Sequence, residues 1–189
     1  MPKSPRISRN MIVEAAFDLV RTDGAAALNA RAVAARLGCS TQPVLYQFAD
    51  MAALRRAVYD RADAFHTNFL LEDLEQAEEP LTELGLRYIR FGAEEAPLFR
   101  FLFQDDHFSG RSLEELIAAP EVAPLLALAG GELGASGGDA GELFGTLFIA
   151  VHGYASLLAN NAMRYDAEDA RRMLVRLGSA LEAREGERI

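Results

Sequence analysis

The sequence predicts an all-α protein of about nine helices, with a three-helix head over residues 1–50 and a larger helical body over 51–189. Three observations carry that class. Apolar residues recur at i, i+3, i+4 and i+7 through most of the chain, which is the stripe of a helix packed on one side. Gly, Pro and short polar residues stand at the ends of those stripes, where helices start and stop. No stretch alternates apolar and polar residues in the way a half-buried strand requires.

In the head, Ile12, Ala15, Ala16, Leu19 and Val20 form the first stripe, and Asp23-Gly24 ends it, since glycine accepts the left-handed conformation of a C-terminal cap. Asn29 is placed to cap a second short helix that turns Ala30, Val33, Ala34 and Leu37 inward, and Gly38 stops it. Ser40 is expected to cap a third helix, anchored by Val44 and Phe48. Asp50 is expected to cap a fourth, with Leu54 as its first large core residue. Two short helices joined by a tight glycine-containing turn make a helix-turn-helix, whose second helix enters the major groove of DNA.

Residues 12–54, as I-V-E-A-A-F-D-L-V…G…L-N-A-R-A-V-A-A-R-L-G-C-S…F…L, resemble the DNA-binding domain of TetR-family transcriptional regulators. Farther on, Phe148-Ile149-Ala150-Val151-His152-Gly153 is similar to the Trp-x-x-x-His-Gly signature of one subgroup of that family, with Phe148 in place of Trp. The resemblance implies a helix-turn-helix DNA-binding domain over 1–50 and a ligand-binding and dimerisation domain over 51–189. Leu45 and Met51 stand where the family usually carries a Tyr and a Lys that touch phosphates, and a tyrosine follows one place later, at Tyr46. A lost phosphate contact weakens affinity without changing which sequence is read.

The charge distribution points the same way. The net charge is −9, yet residues 1–56 carry eight Lys/Arg against four Asp/Glu, leaving the remainder strongly acidic. A basic head on an acidic body offers phosphate one face and repels it with the other. Half of the 189 residues are apolar, so the chain is expected to be globular. No run approaching the ~20 apolar residues of a membrane span is read from the sequence, and Met1-Pro-Lys-Ser-Pro-Arg6 has no apolar secretory core. A single cysteine suits a reducing compartment, and a cytoplasmic location is expected.

The body continues with one long helix from Met51 to about Gln76, bearing Leu54, Val58, Ala62, Phe65 and Phe69. Glu78-Glu79-Pro80 breaks it, and Leu81, Leu84, Tyr88 and Phe91 form the next stripe. Pro97 opens Leu98-Phe99-Arg100-Phe101-Leu102-Phe103, apolar nearly all round and so expected to be buried. Residues 112–129 read as a helix interrupted by Pro120 and Pro124, and Gly130 to Gly141 as a flexible connection. Helices follow over 142–164 and from Ala167 to about Arg184, with a Tyr165-Asp166 turn between. The first of these has two apolar sides, implying burial on both, and Gly145 and Gly153 would admit another helix closely. In TetR-like proteins the corresponding helices pair with their twofold mates. The resemblance therefore implies an interface through Phe144, Leu147, Val151, Tyr154 and Leu158, with Leu174, Leu177 and Leu181 of the last helix.

In the third helix Thr41, Gln42, Leu45 and Tyr46 are left outward. Gln42 is suited to adenine N6/N7, and Pro43 or Leu45 to a thymine methyl. Tyr46 is expected to touch DNA, its other reading being a packing residue at the seam with the fourth helix. Asn29, Arg31 and Gln47 are candidates for phosphate, with Lys3, Arg6 and Arg9 as a basic arm. Cys39 reads as a packing residue, since no second cysteine is present to resolve an oxidised thiol.

His66, His107 and His152 are too scattered for a metal spacing, so no metal or cofactor is expected. Asp105-Asp106-His107 reads either as a solvated helix end or as the polar corner of a ligand cavity, and His152 as core, dimer seam or ligand contact. A cavity lined by Phe65, Phe69, Tyr88, Phe91, Phe103, His107, Phe148 and His152 would suit a small apolar or aromatic molecule. The chain shows no Ser-His-Asp spacing, no paired His/Cys and no Gly-rich phosphate loop, so an enzyme is not expected. The expected function is a ligand-responsive regulator, a repressor that binds a palindromic operator as a dimer and is released by an effector. The alternative is a TetR-like sensing or interaction module that no longer binds DNA.

Overall fold

The computed structural model describes residues 7–105, 110–134, 138–160 and 163–186. Among them are ten α-helices, three short 3-10 turns and no strand, an all-α fold. The helices are α1 (Arg9–Asp23), α2 (Ala30–Arg36), α3 (Gln42–Gln47), α4 (Met51–Leu71), α5 (Pro80–Glu94), α6 (Ala96–Phe103), α7 (Leu113–Ile117), α8 (Ala123–Leu133), α9 (Gly138–Ala159) and α10 (Ala167–Gly186). They form two compact units. One takes the chain up to Asn68 and again Pro97–Asp105; the other takes Phe69–Ala96 and the chain from Asp106. The division falls inside α4, and the head expected over residues 1–50 lies in the first unit.

In the first unit α1 packs on α2 and α3. Ser8 caps α1, its Oγ accepting from the Met11 N–H at 3.2 Å. Ile12, Ala16 and Val20 of α1 are buried with Val33, Ala34, Val44 and Phe48. Leu54, Val58 and Ala62 of α4 and Leu98, Phe99, Phe101 and Leu102 of α6 are buried as well. Four arginines lie over phenylalanine rings of this core: Arg9 on Phe48 at 4.5 Å, Arg21 on Phe65 at 4.8 Å, Arg55 on Phe101 at 5.2 Å and Arg61 on Phe17 at 4.4 Å. Their stems cover apolar edges while the guanidinium groups face the ring quadrupoles. Arg61 also binds Glu14 at 2.7 Å, and Arg55 pairs with Asp105. Arg9, Arg21 and Arg55, three of the eight Lys/Arg read over residues 1–56, are therefore engaged within the first unit.

In the second unit α5 packs against α9 and α10, while α7 and α8 pack on α9. The approach of α5 to α9 is closest at Gly92: a Cβ there would stand 2.7 Å from the Ala155 carbonyl oxygen and 2.9 Å from the Ala155 Cβ. Only glycine leaves room for the facing backbone. The five-residue α7 is held by a capping box, with the Glu115 N–H donating to Ser112 Oγ at 3.2 Å and the Ser112 N–H to Glu115 Oε2 at 2.7 Å.

Three features differ from the sequence reading. The helix expected to run to Gln76 ends at Leu71, where Asp73 turns left-handed (φ 53°) and leads into a 3-10 turn. Arg87 of α5 satisfies carbonyls freed at that end, Nη1 donating to Leu70 O at 3.1 Å and also to Glu72 O. The connection expected from Gly130 to Gly141 is largely helical: α8 runs through Gly130 and Gly131 to Leu133, and α9 begins at Gly138. Finally, Asp139–Ala159 has the length and mean hydropathy (1.4) of a membrane span, a feature not read from the sequence. The central helix of a soluble protein meets the same test, and the buried side of α9 faces α5, α7 and α8.

Candidate functional site

The α2–α3 motif is fixed at both ends of α2. Asn29 Oδ1 accepts from the N–H groups of Arg31 at 3.1 Å and Ala32 at 3.0 Å, while its Nδ2 donates to Ala27 O at 3.0 Å. A cap of this kind contributes about 1 kcal/mol. At the other end Gly38 takes φ 65°, with its N–H on Ala35 O at 3.1 Å and the Cys39 N–H on Ala34 O at 3.0 Å. That pair of bonds is a Schellman motif, and it needs a residue that tolerates the left-handed region. The chain then enters α3 with Thr41, not Ser40, at the N-cap, in helical conformation and without a side-chain cap. Pro43 sits in the first turn, where its missing N–H leaves no bond unmade.

The six residues of α3 divide by face. Val44 and the following Phe48 are buried. Gln42 is exposed, Pro43 and Gln47 are half-buried, and Leu45 and Tyr46 are 59% and 80% exposed. Tyr46 is therefore not a packing residue. Arg31 on α2 is exposed, as is Arg56 on α4, which sequence reasoning did not single out. Arg9 lies on the Phe48 ring, and both polar atoms of Asn29 are committed to the cap. Thr41 and Met51 are half-buried. Lys3 and Arg6 lie outside the described residues, as does His107.

The residues expected around a ligand fall into two separate groups. In the first unit Phe65 meets Phe17 edge-on at 5.5 Å, and Phe103 lies 5.2 Å from His66 and 5.0 Å from Phe99. His66 is buried, and desolvation lowers its pKa to about 4, so it is neutral at pH 7. In the second unit Phe69 meets Phe91 at 5.3 Å under the Arg90 guanidinium. There too Tyr88, Phe148 and His152 come together, with ring separations of 6.1 Å (Tyr88–Phe148) and 5.5 Å (Phe148–His152). Phe144, expected at a dimer interface, is half-buried and stacks on Phe148 at 6.4 Å.

Tyr88 Oη and His152 Nδ1 are 2.9 Å apart. Burial raises the Tyr88 pKa and lowers that of His152, so the phenol keeps its proton and the imidazole is neutral. The two neutral groups share one hydrogen bond, whose direction is set by the tautomer of the imidazole.

Of the residues expected to pair two chains, Val151, Leu158, Leu174 and Leu181 are buried within this one. Leu147, Tyr154 and Leu177 are half-buried. The apolar residues α9 leaves outward are Ile149 and Leu157, 54% and 50% exposed. With Thr146 and Gly153, also exposed, they fall on one helical stripe.

Among the described residues of the second unit, two hollows can be described. One, of about 440 Å³, is polar and lined by Asp73, Glu78, Glu79, Glu83, Arg87 and Arg171, with Arg171 bonded to Glu79 at 2.9 Å and Arg87 to Glu83 at 2.7 Å. The other, of about 730 Å³, is an apolar groove between α7, α8 and α9, and none of the expected ligand residues lines it. Among the described residues no three His, Cys, Asp or Glu side chains gather as a metal site would need.

No family model matches the chain, and no curated protein matches it in sequence. Among solved structures, the multidrug binding protein EbrR complexed with imidazole is similar over 93% of this chain and 97% of that one, with a TM-score of 0.54 and 23% identity. The likeness is one of fold, and it extends through both compact units of this chain.

Proposed function

We propose that the chain is a ligand-responsive transcriptional regulator, a repressor that binds a palindromic operator as a dimer and leaves it when a small apolar or aromatic effector enters the helical body. The outward face of α3 carries this reading. A six-residue helix, set by a capped neighbour and a Schellman turn, exposes Gln42, Leu45 and Tyr46. A protein gains nothing in stability from an 80% exposed tyrosine, whereas a base edge or a phosphate offers it a partner. Gln42 is assigned to adenine, Pro43 or Leu45 to a thymine methyl, and Tyr46, Gln47 and Arg31 to the backbone. The role of Asn29 is to hold the start of α2.

The resemblance of the head to TetR-family domains, and the fold shared with a protein whose printed name is multidrug binding, support the regulator reading. Tyr88, Phe148 and His152 offer an aromatic effector stacking surfaces and one polar pair. Two copies are proposed to meet along Ile149, Gly153 and Leu157 of α9, while Val151, Leu158, Leu174 and Leu181 are buried within the chain. Effector binding would favour a body conformation in which the paired heads no longer fit the half-site spacing.

Fluorescence anisotropy tests this, using labelled duplex from upstream of the protein's own coding region against a scrambled duplex, at two salt concentrations. Selective binding is expected. Arg31→Ala should weaken both duplexes by a similar factor and lower the salt slope by about 1. Loss confined to the selected duplex would show that Arg31 reads bases. Binding that salt erases, with no preference on any duplex, would favour a head that no longer reads DNA.

A further inference from the structure

The helix α3, Gln42-Pro-Val-Leu-Tyr-Gln47, carries no Lys or Arg, so any attraction of this helix to phosphate has to come from the segments around it. Of the eight Lys/Arg over residues 1–56, Lys3 and Arg6 lie outside the described residues. Four others are engaged. Arg9 and Arg21 lie on phenylalanine rings, Arg55 lies on Phe101 and pairs with Asp105, and Arg36 stands 3.9 Å from the Asp23 carboxylate. Arg31 and Arg56 remain. Both are exposed, and among the described residues neither side chain has a hydrogen bond, ion pair or ring contact. Arg31 is assigned to the DNA backbone, while Arg56, on α4, is left without a role.

Arg56 is placed to serve the same surface as α3. The helix that carries it begins at Met51, shortly after α3 ends at Gln47. Ala52, Arg56 and Asp60 are its exposed stripe, which continues the exposure of Ala49 and Asp50. A helical side chain leans toward the N-terminus and covers the turn before its own Cα. The small Ala52 leaves that path open, so the Arg56 guanidinium can reach the first turn of α4. The backbone end of that turn is already taken, since Asp50 Oδ1 accepts from the Ala53 N–H at 2.7 Å. The arginine is the group there that suits a phosphate oxygen. We propose that Arg56 is a second phosphate contact of the head, holding the DNA backbone from α4 as Arg31 holds it from α2, with α3 between them. This rests on the reading of α3 as a DNA-contacting helix, but not on which sequence it selects.

The test is fluorescence anisotropy of the full chain on the upstream and scrambled duplexes, from about 0.05 to 0.3 M salt. For each head bound, Arg56→Ala should lower the slope of log affinity against log salt by about 1, and weaken both duplexes about tenfold at ~0.1 M salt. Arg56→Lys, which keeps the charge, should restore most of the slope. Arg164→Ala removes the same charge from an exposed position on the body and should leave the slope unchanged. The urea midpoint of Arg56→Ala should match that of the native chain, because the side chain has no partner among the described residues to lose. An unchanged slope in Arg56→Ala overturns the proposal, as does an equal fall in Arg164→Ala, which would make the effect one of net charge. Loss confined to the upstream duplex overturns it too, since Arg56 would then read bases. A native chain that binds neither duplex at the lowest salt overturns this contact together with the DNA-binding reading, an outcome distinct from the other three.

Discussion

Gly92→Ala destabilises the chain by about 2 kcal/mol, against the usual benefit of alanine in a helix. In an open helix interior the same change stabilises by roughly 0.8–1.0 kcal/mol. At Gly92 the added carbon would lie 2.7 Å from a backbone oxygen of Ala155 and 3.0 Å from its Cα. Neither atom belongs to a flexible side chain, so α5 and α9 must move apart and the residues buried along their contact loosen with them. Gly178 of α10 has nothing within 4 Å of the corresponding position, and Gly178→Ala should raise stability by about 1 kcal/mol. Urea unfolding of the two variants measures both. If both substitutions stabilise, the close approach of α5 and α9 is wrong.

Acidification from pH 6.5 to 4 lowers stability, and His66 is the largest single cause. Its folded-state pKa is about 4, against 6.5 for an unburied histidine. Above pH 6.5 both folded and unfolded chains leave it neutral, and it contributes no pH dependence. Between 6.5 and 4 the unfolded chain takes up a proton that the folded chain refuses, so stability falls as pH falls. The full effect is about 3 kcal/mol, reached near pH 4. His152, also lowered by burial, acts in the same direction. His66→Leu should therefore flatten most of the slope in this window, leaving a residual contribution from His152. Unfolding midpoints at pH 7, 6 and 5 check this; parallel decline in the parent and His66→Leu would show that His66 is not held neutral.

The first unit was largely legible because its signals are local. Gly24 and Gly38 at the ends of α1 and α2, Asn29 at the start of α2 and Asp50 before α4 each act on the backbone within four residues. Ser40 misled because Ser and Thr adjoin there, and the chain used Thr41 without a side-chain cap. The second unit depends on distant contacts. Gly130, read as a loop residue, is buried in α8, where packing outweighs a helix penalty of about 1 kcal/mol. The two apolar sides of α9 are equivalent in the sequence, and periodicity cannot say which is buried: Val151, Ala155 and Leu158 turn inward while Leu157 stays out.

The same limit explains the candidate sites. Helical spacing placed Gln42, Leu45 and Tyr46 on one outward face because a six-residue helix anchored by Val44 and Phe48 has few ways to turn. Aromatic content alone could not separate Phe65 and Phe103, which belong to the first unit, from Tyr88, Phe148 and His152, which belong to the second. Gly92 escaped notice because its partner, Ala155, lies far along the chain. The apolar groove went unread for a related reason, since its walls come from three helices separated by proline and glycine breaks.

The central claim is that the outward face of α3 reads DNA sequence, and selection from a random duplex pool tests it most directly. The native protein should enrich two copies of a short sequence in inverted orientation, centred about one helical turn apart or a multiple of it. Gln42→Ala should enrich the same spacing with relaxed preference at one base pair of each half-site, a discrimination of about 1–3 kcal/mol lost there. An unenriched pool, or an identical motif from both proteins, would contradict the assignment of α3 as the reader.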